Sequence, residues 1–143
     1  MGAFGGTRFA GERTDWETPA ELFADLDSEF GFTLDVAATA DNAKCPRYFT
    51  PEQDGLKQRW SGVCWCNPPY GRDMPDWLRK AILEASHGVL TVCLIPARTN
   101  TGWFHDYCLR HGEVRFVRGR PKFVGNVHGL PQPLAIVVFG RRG

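Results

Sequence analysis

The stretch Gly62-Val63-Cys64-Trp65-Cys66-Asn67-Pro68-Pro69-Tyr70 decides how this chain folds. Its first five residues form an apolar run of strand length that is bounded by turn-forming residues. The two prolines cannot continue a strand, and they impose a rigid, extended exit. We therefore expect residues 67–70 to lie at the carboxyl end of a central strand, where open α/β sheets place their ligand crevices.

An asparagine and two prolines at such a point suit the methylation of a planar –NH2 group. The nitrogen of an aromatic amine is a poor nucleophile because its lone pair is delocalised, and acceptors aimed at its hydrogens favour the pyramidal form. The Asn67 side-chain oxygen and the Pro68 carbonyl would supply those acceptors. The Tyr70 ring would stack on a base swung out of its helix. The alternative is a plain loop with two prolines and a buried tyrosine.

The composition is that of a single globular domain. A chain of 143 residues is long enough to bury a real core. No apolar run reaches membrane-spanning length, and residues 1–6 lack the charged and apolar regions of a secretion signal. The cysteine count is five, an odd number, and no C-x-x-C motif or His pair completes a zinc site with Cys64 and Cys66. We expect buried thiols, no metal, no membrane partner and a cytoplasmic location.

Charge is unevenly distributed, although the formal net charge is only +1. Residues 1–97 hold nine Lys/Arg and fourteen Asp/Glu, whereas residues 98–143 hold eight and two, so the parts carry −5 and +6. A carboxyl-terminal third this basic is a candidate surface for phosphate groups. A solvated face without a partner is the alternative.

Local patterns predict alternating helices and strands. Residues 1–13 are expected to be flexible, and residues 14–143 to form one domain. Thr18 as N-cap, Pro19 as first helical residue and Glu21 as capping-box partner predict a helix, which Gly31 ends.

A second capping box at residues 50–53 precedes Asp54, which would either accept hydrogen bonds from a ribose or adenine, or only close a turn. Asp73 is the predicted N-cap of the next helix. Further helix is predicted at 101–110, and residues 40–48 are expected to be irregular or a short helix.

Strands are predicted at 32–38, 62–66, 89–96, 113–117 and 134–139. This alternation predicts an α/β fold with a mostly parallel sheet and helices on both faces. Only a loop separates Val117 from Leu134, which allows an antiparallel pair at one edge.

With these residues placed, the chain resembles the phage-type DNA N6-adenine methyltransferase family from Trp16 to Phe139. Six segments in a fixed order carry the resemblance: Trp16-x-Thr18-Pro19, Leu34-Asp35-x-Ala37-Ala38, Asp54-Gly55-Leu56, Asn67-Pro68-Pro69-Tyr70-Gly71, Leu94-Ile95-Pro96-Ala97-Arg98 with Trp103-Phe104-His105, and Gly119-Arg120-x-x-Phe123. The resemblance implies a Rossmann-like methyltransferase that transfers the methyl group of S-adenosylmethionine to the N6 amine of adenine in DNA. It also implies a phage or prophage origin, and hence the cytoplasm of a bacterial host.

The resemblance assigns roles residue by residue. The catalytic segment is Asn67, Pro68, Pro69 and Tyr70. The cofactor-binding residues are Trp16, Thr18, Pro19, Asp35, Val36, Ala37, Asp54 and Asn67. The DNA-binding residues are Arg98, Thr101, Arg118, Arg120, Lys122 and Phe123. The chain departs from broader methyltransferase patterns in two ways: Ala37 and Ala38 stand where glycines are usual, and no separate target-recognition domain is present, so sequence choice would come from residues 98–103 and 118–128.

Two other functions stay open from the sequence alone. The same tetrapeptide serves the methylation of other planar amines, namely cytosine N4, an RNA base or a protein glutamine, and the basic last third favours nucleic acid among these. The second is a catalytically degenerate fold that only binds DNA or a protein, which the missing glycines favour. The intact tetrapeptide opposes it, because binding alone has no use for acceptors aimed at an amine.

Overall fold

The computed structural model describes residues 18–118 and 133–140, so the segment 1–13 lies outside the described residues. The elements in chain order are helix α1 (Ala20–Phe30), strands β1 (Leu34–Asp35) and β2 (Arg47–Tyr48), a 3-10 turn (Gly55–Lys57), strand β3 (Val63–Cys66), helix α2 (Met74–Ala85), strand β4 (Leu90–Pro96), a π-helical segment (Phe104–Leu109), and strands β5 (Glu113–Phe116) and β6 (Leu134–Phe139). Together they make a mixed α/β fold around one six-stranded sheet.

The sheet has the strand order β2-β1-β3-β4-β6-β5. Neighbours from β2 through β4 are parallel, and β6 runs antiparallel to both β4 and β5. The predicted antiparallel edge is thus confirmed. Because two reversals separate β4 from β5, these strands point the same way. The carboxyl ends of β1, β3, β4 and β5 therefore share one edge of the sheet, here called the carboxyl edge.

Strand β1 is shorter than the predicted strand 32–38, but its hydrogen bonds extend beyond Leu34–Asp35. The Thr33 amide donates to the Val63 carbonyl at 2.8 Å, and the Val36 amide donates to the Trp65 carbonyl at 3.0 Å. The backbone of β1 therefore follows β3 as far as the turn that leaves the carboxyl edge.

Strand β2 was not predicted, because residues 40–48 show no apolar periodicity and Arg47 is exposed. Tertiary hydrogen bonds create it. The Phe49 amide donates to the Asp35 carbonyl and the Ala38 amide donates to the Phe49 carbonyl, both at 2.9 Å. This pairing brings the chain back beside the end of β1.

Helix α1 is fixed to the sheet at two places. The Phe23 ring meets the Trp65 ring edge-on, with centroids 5.3 Å apart. Near its other end, Glu29 accepts two hydrogen bonds of 2.7 Å from Arg115 of β5. The helix ends at Gly31, which has a left-handed φ of 73° and donates to the Asp27 carbonyl, as predicted.

The predicted helix caps had mixed outcomes. Asp73 is the N-cap residue of α2, as predicted, whereas Pro19 and not Thr18 is the N-cap residue of α1. Neither helix start shows a side-chain cap hydrogen bond. The hydrogen bonds of the second capping box are present, from the Thr50 amide to Gln53 Oε1 at 2.9 Å and from the Gln53 amide to Thr50 Oγ1 at 3.3 Å. They close a turn rather than open a helix.

All five cysteines are buried and free, as expected for thiols in apolar runs. Burial raises the pKa of the Cys64 thiol to about 12, so it stays protonated at neutral pH. Within residues 18–118 and 133–140, no helix is both long enough and apolar enough to cross a membrane. The same residues contain no group of three or more His, Cys, Asp or Glu side chains arranged for a metal ion.

The 3-10 turn packs closely beneath the end of β1. A Cβ atom on Gly55 would overlap the Val36 carbonyl oxygen and would lie 3.0 Å from the Trp77 ring. Asp54 before it adopts a left-handed φ of 58°, and the Trp60 indole donates to the Gly55 carbonyl at 2.8 Å. Glycine is therefore required here for space.

Gly55→Ala should lower the free energy of unfolding by about 1–3 kcal/mol, the usual cost of overpacking a core. Urea unfolding followed by circular dichroism measures it. Gly102→Ala is the matched control, because a Cβ there meets nothing within 4 Å. Equal losses in the two variants would contradict the close packing of Gly55.

Candidate active site

A cleft of about 390 Å³ lies at the carboxyl edge, beside the ends of β1 and β3. Its volume falls within the usual range for small-molecule sites, roughly 300–1,000 Å³. Part of its wall is apolar and includes Val36, Ala37, Phe49, Leu56 and Trp77. Its polar lining includes Thr39, Asn42, Thr50, Asp54, Asn67 and Asp73. Such a lining can pack a flat ring and hold hydroxyl or ammonium groups.

The structure brings together only part of the predicted cofactor set. Val36, Ala37, Asp54 and Asn67 line the cleft. Thr18 and Asp35 instead line an adjoining cavity of about 20 Å³, which Ala37 and Asn67 share. Pro19 is not among the lining residues of either space, and Trp16 lies outside the described residues.

The Asn67 side chain is held by Thr18, which is distant in sequence. Asn67 Nδ2 donates to Thr18 Oγ1 at 2.9 Å, and Thr18 is 3% exposed. The same hydroxyl oxygen was predicted to cap α1, but Thr18 lies one residue before the N-cap Pro19 and its hydroxyl bonds Asn67. The Asn67 amide oxygen is itself enclosed by protein atoms. The amide is therefore placed by tertiary contacts rather than by its own turn.

Tyr70 lies in the core rather than in the cleft. It is 3% exposed, and its hydroxyl donates to the Leu94 carbonyl of β4 at 3.1 Å. Burial raises its pKa well above the usual value. The ring face is therefore not exposed to a base in this structure, and the stacking role of Tyr70 stays a prediction. Of the prolines, Pro68 is buried, whereas Pro69 is exposed and lines the cleft.

Asp35 serves as an internal acceptor at the end of β1. Its carboxylate accepts hydrogen bonds from the Lys44 amide at 3.0 Å and the Ala37 amide at 3.3 Å. Burial raises its pKa from 3.8 to about 6, against the opposing effect of these two bonds. Asp35 therefore shapes the loop 36–44, and its predicted contact with the cofactor stays a prediction.

Asp54 fulfils one of the two roles that the sequence left open. Its Oδ1 accepts from the Leu56 amide at 3.1 Å, so the turn-closing role is confirmed. Its side chain also belongs to the cleft lining, where the cofactor contact stays a prediction.

The predicted site residues leave out several residues that line the cleft, among them Asp73, Asn42, Phe49 and Trp77. Asp73 was assigned to capping, yet it lines the cleft. Asn42 lies in a segment without a pattern, and its Oδ1 accepts from the Thr39 amide at 2.7 Å. Phe49 and Trp77 are apolar side chains in the cleft wall, and no local pattern marked them as site residues. For Asp73, the closeness to the tetrapeptide was an available signal.

The predicted DNA-binding residues that are described lie near the carboxyl edge. Arg98 and Arg118 are both exposed. The residues before them flank the start of β6: the Ala97 amide donates to the Pro133 carbonyl at 2.9 Å, and the Val117 amide donates to the Leu134 carbonyl at 3.1 Å. Arg98 and Arg118 therefore both lie at the carboxyl edge, one on each side of the start of β6.

Other members of the basic third have structural roles. The Thr101 hydroxyl donates to the Arg98 carbonyl at 2.7 Å and accepts from the Phe104 amide at 3.3 Å, as an N-cap does. Arg115 pairs with Glu29 and Glu113 at 2.7 and 2.8 Å. Arg120, Lys122 and Phe123 lie outside the described residues.

Asp35 makes stability depend on pH. A carboxyl whose pKa is raised on folding binds more protons in the folded state, so stability falls as pH rises from about 4 to about 6. A rise in the pKa of Asp35 from 3.8 to about 6 corresponds to roughly 3 kcal/mol of free energy of unfolding. From about pH 4 to about pH 6, the free energy of unfolding of the wild type, measured relative to that of Asp35→Asn, should decrease by roughly 3 kcal/mol. Urea unfolding at several pH values tests this, with the exposed Asp41→Asn as control. A flat difference would contradict it.

Comparison with known proteins identifies the family. The family model for "DNA N-6-adenine-methyltransferase (Dam)" matches residues 7–132. The chain is 34% identical over 119 residues to the DNA N-6-adenine-methyltransferase of Haemophilus phage HP1, covering 80% of this chain and 68% of that protein. It is 36% identical over 122 residues to the DNA N-6-adenine-methyltransferase of Escherichia phage T1, covering 78% of this chain but only 50% of that protein. The chain belongs to the DNA N-6-adenine-methyltransferase (Dam) family.

Proposed function

We propose that the chain transfers a methyl group from S-adenosylmethionine to the N6 amine of adenine in DNA. One observation carries the proposal: Asn67, at the end of β3, lines a cofactor-sized cleft in a chain of the DNA N-6-adenine-methyltransferase family. The proposal includes a Rossmann-like arrangement with helices on both faces of the sheet. The parallel order β2-β1-β3-β4 and the position of the cleft outside the carboxyl ends support it.

The residues of the cleft fit the proposed cofactor. The apolar wall around Phe49 and Leu56 suits a purine ring, and the carboxylates of Asp54 and Asp73 can accept hydrogen bonds from ribose hydroxyls or an ammonium group. The small side chain of Ala37 permits close approach at the end of β1. S-adenosylmethionine supplies an electrophilic methyl group on a sulfonium, so the reaction needs neither a metal nor a covalent enzyme intermediate.

The chain itself provides alignment and acceptors. The Asn67 amide oxygen and the Pro68 carbonyl would accept hydrogen bonds from the target –NH2 group, which raises its nucleophilicity without ionising it. The product proton leaves to water once the nitrogen carries the new methyl group. Because the Asn67 oxygen is enclosed, an incoming base must displace the protein atoms that cover it.

DNA would approach the carboxyl edge. Arg98 and Arg118 are exposed there and can contact backbone phosphates, which position DNA without reading its sequence. The proposed contacts also include Thr101, Arg120, Lys122 and Phe123. Arg115 is excluded from this role by its two carboxylate partners.

Asn67→Ala should abolish methyl transfer, with a loss of at least about a hundredfold, because it removes the acceptor for the target amine. The assay is incubation of DNA with the protein and S-adenosylmethionine, then mass spectrometry of the digested nucleosides. Cofactor binding, measured by calorimetry, should change little because most of the cleft wall remains. Wild-type turnover in this variant would refute the role of Asn67.

The same assay on the wild type tests the substrate. N6-methyladenine supports the proposal, and N4-methylcytosine would keep the mechanism and change the target base. Methylation of RNA or protein alone would overturn the DNA assignment. If the protein neither forms a methylated product nor binds the cofactor, a module that only binds DNA is favoured.

Arg98→Gln and Arg118→Gln should each weaken DNA binding and reduce the slope of log affinity against log salt by about one, because each removes one phosphate contact. Fluorescence anisotropy at several salt concentrations measures the slope. Arg59→Gln is the matched control, because Arg59 is exposed beside the amino-terminal ends of β3 and β4. A slope equally reduced by Arg59→Gln would mean that only net charge matters.

A further inference from the structure

We propose that Thr18 is a positioning residue, which orients the Asn67 amide for methyl transfer; this inference rests on the proposed function. The two residues are 49 positions apart, and their side chains meet at 2.9 Å. The sequence indicates a different use for this hydroxyl, the capping of α1, and the resemblance places Thr18 near the cofactor. In the structure the hydroxyl serves Asn67.

The orientation of the amide decides whether Asn67 can act. The oxygen and nitrogen of a planar amide lie on two branches of one carbon, so holding the nitrogen also fixes the oxygen. A flipped amide would present its –NH2 group to the –NH2 group of the target, and two donors cannot form a hydrogen bond. In the structure Thr18 Oγ1 accepts from Asn67 Nδ2, and this hydrogen bond holds the amide in the orientation whose other branch carries the acceptor oxygen.

Thr18 can serve as a reference point because it is buried and lies next to a conformationally restricted proline. It is 3% exposed and precedes Pro19, whose backbone is extended at φ −60° and ψ 136°. The helix that follows is fixed to the sheet through the Phe23–Trp65 contact. The position of the hydroxyl is thus set by the packing of α1.

The lining of the two cavities distinguishes the positioning of Asn67 by Thr18 from direct binding of the cofactor by Thr18. Thr18 lines the small cavity of about 20 Å³ and is not among the residues that line the 390 Å³ cleft, whereas Asn67 lines both. An effect of Thr18 on the reaction should therefore pass through Asn67. It should appear in the rate of methyl transfer and not in the affinity for the cofactor.

Thr18→Val keeps the shape of the side chain and removes the acceptor, whereas Thr18→Ser keeps the acceptor. We expect Thr18→Val to lower kcat at saturating DNA and S-adenosylmethionine by about 10–100-fold, as loss of an orienting hydrogen-bond partner does at metal sites. The cofactor Kd from calorimetry should stay within about twofold of the wild-type value. Thr18→Ser should restore most of the rate. Thr91→Val is the matched control, because Thr91 is fully buried in β4 and away from the cleft.

Two results would overturn the proposal. A raised cofactor Kd with unchanged kcat would make Thr18 a cofactor contact, and an unchanged rate with unchanged affinity would leave it a packing residue. If Thr18→Val does not fold, Thr18→Ala carries the same test without added bulk.

A second measurement does not require activity, so it separates failure of this inference from failure of the proposed function. The side-chain NH2 signals of Asn67 in a ¹⁵N-correlated NMR spectrum, assigned by their loss in Asn67→Ala, should shift in Thr18→Val and not in Thr18→Ser. Unshifted signals in Thr18→Val would overturn the inference. If the wild type methylates no DNA and the Asn67 signals still shift in Thr18→Val, the proposed function is overturned, whereas the hydrogen bond between Thr18 and Asn67 is supported.

Discussion

The parallel ladder between β1 and β3 is the constraint on which the candidate site depends. Leu34 pairs with Cys64 and Asp35 with Trp65, and one further hydrogen bond joins the Val36 amide to the Trp65 carbonyl at 3.0 Å. Strands in this register leave the sheet side by side, so the loop after β1 and the tetrapeptide after β3 form adjacent walls of one cleft. A slip of one residue would exchange the faces of every side chain in β1 and separate those walls.

The loop after β1 shows how the chain manages without the usual glycines. Ala37 and Ala38 are small, but the path of the loop is set by the Asp35 carboxylate, which accepts amide hydrogens from Ala37 and Lys44. Burial raises the pKa of this carboxyl to about 6, so the charged form carries a cost at neutral pH. Gly55 then packs under the Val36 carbonyl and supports the loop from below. The missing glycines are thus offset by contacts from other segments.

Sequence patterns predicted what depends on neighbouring residues. Strand β6 has the predicted bounds 134–139, and Gly31 ends α1 as the left-handed cap residue. Features that depend on distant partners were not predictable: β2 exists because Phe49 hydrogen-bonds to Asp35, and the Tyr70 hydroxyl has its partner in the Leu94 carbonyl of β4. The tetrapeptide marked the position of the site, but the shape of the site depends on tertiary contacts that no local pattern records.

Thr18 shows why such a departure concentrates at a functional site. Thr-Pro-x-Glu is a good capping sequence, and loss of a cap costs about 1 kcal/mol of helix stability. The hydroxyl oxygen that would accept from the helix amide accepts from Asn67 instead. Helix α1 tolerates this because the Phe23–Trp65 contact and the Glu29–Arg115 ion pair fix it to the sheet. A local rule is broken where the proposed chemistry needs a fixed amide, and packing elsewhere compensates for it.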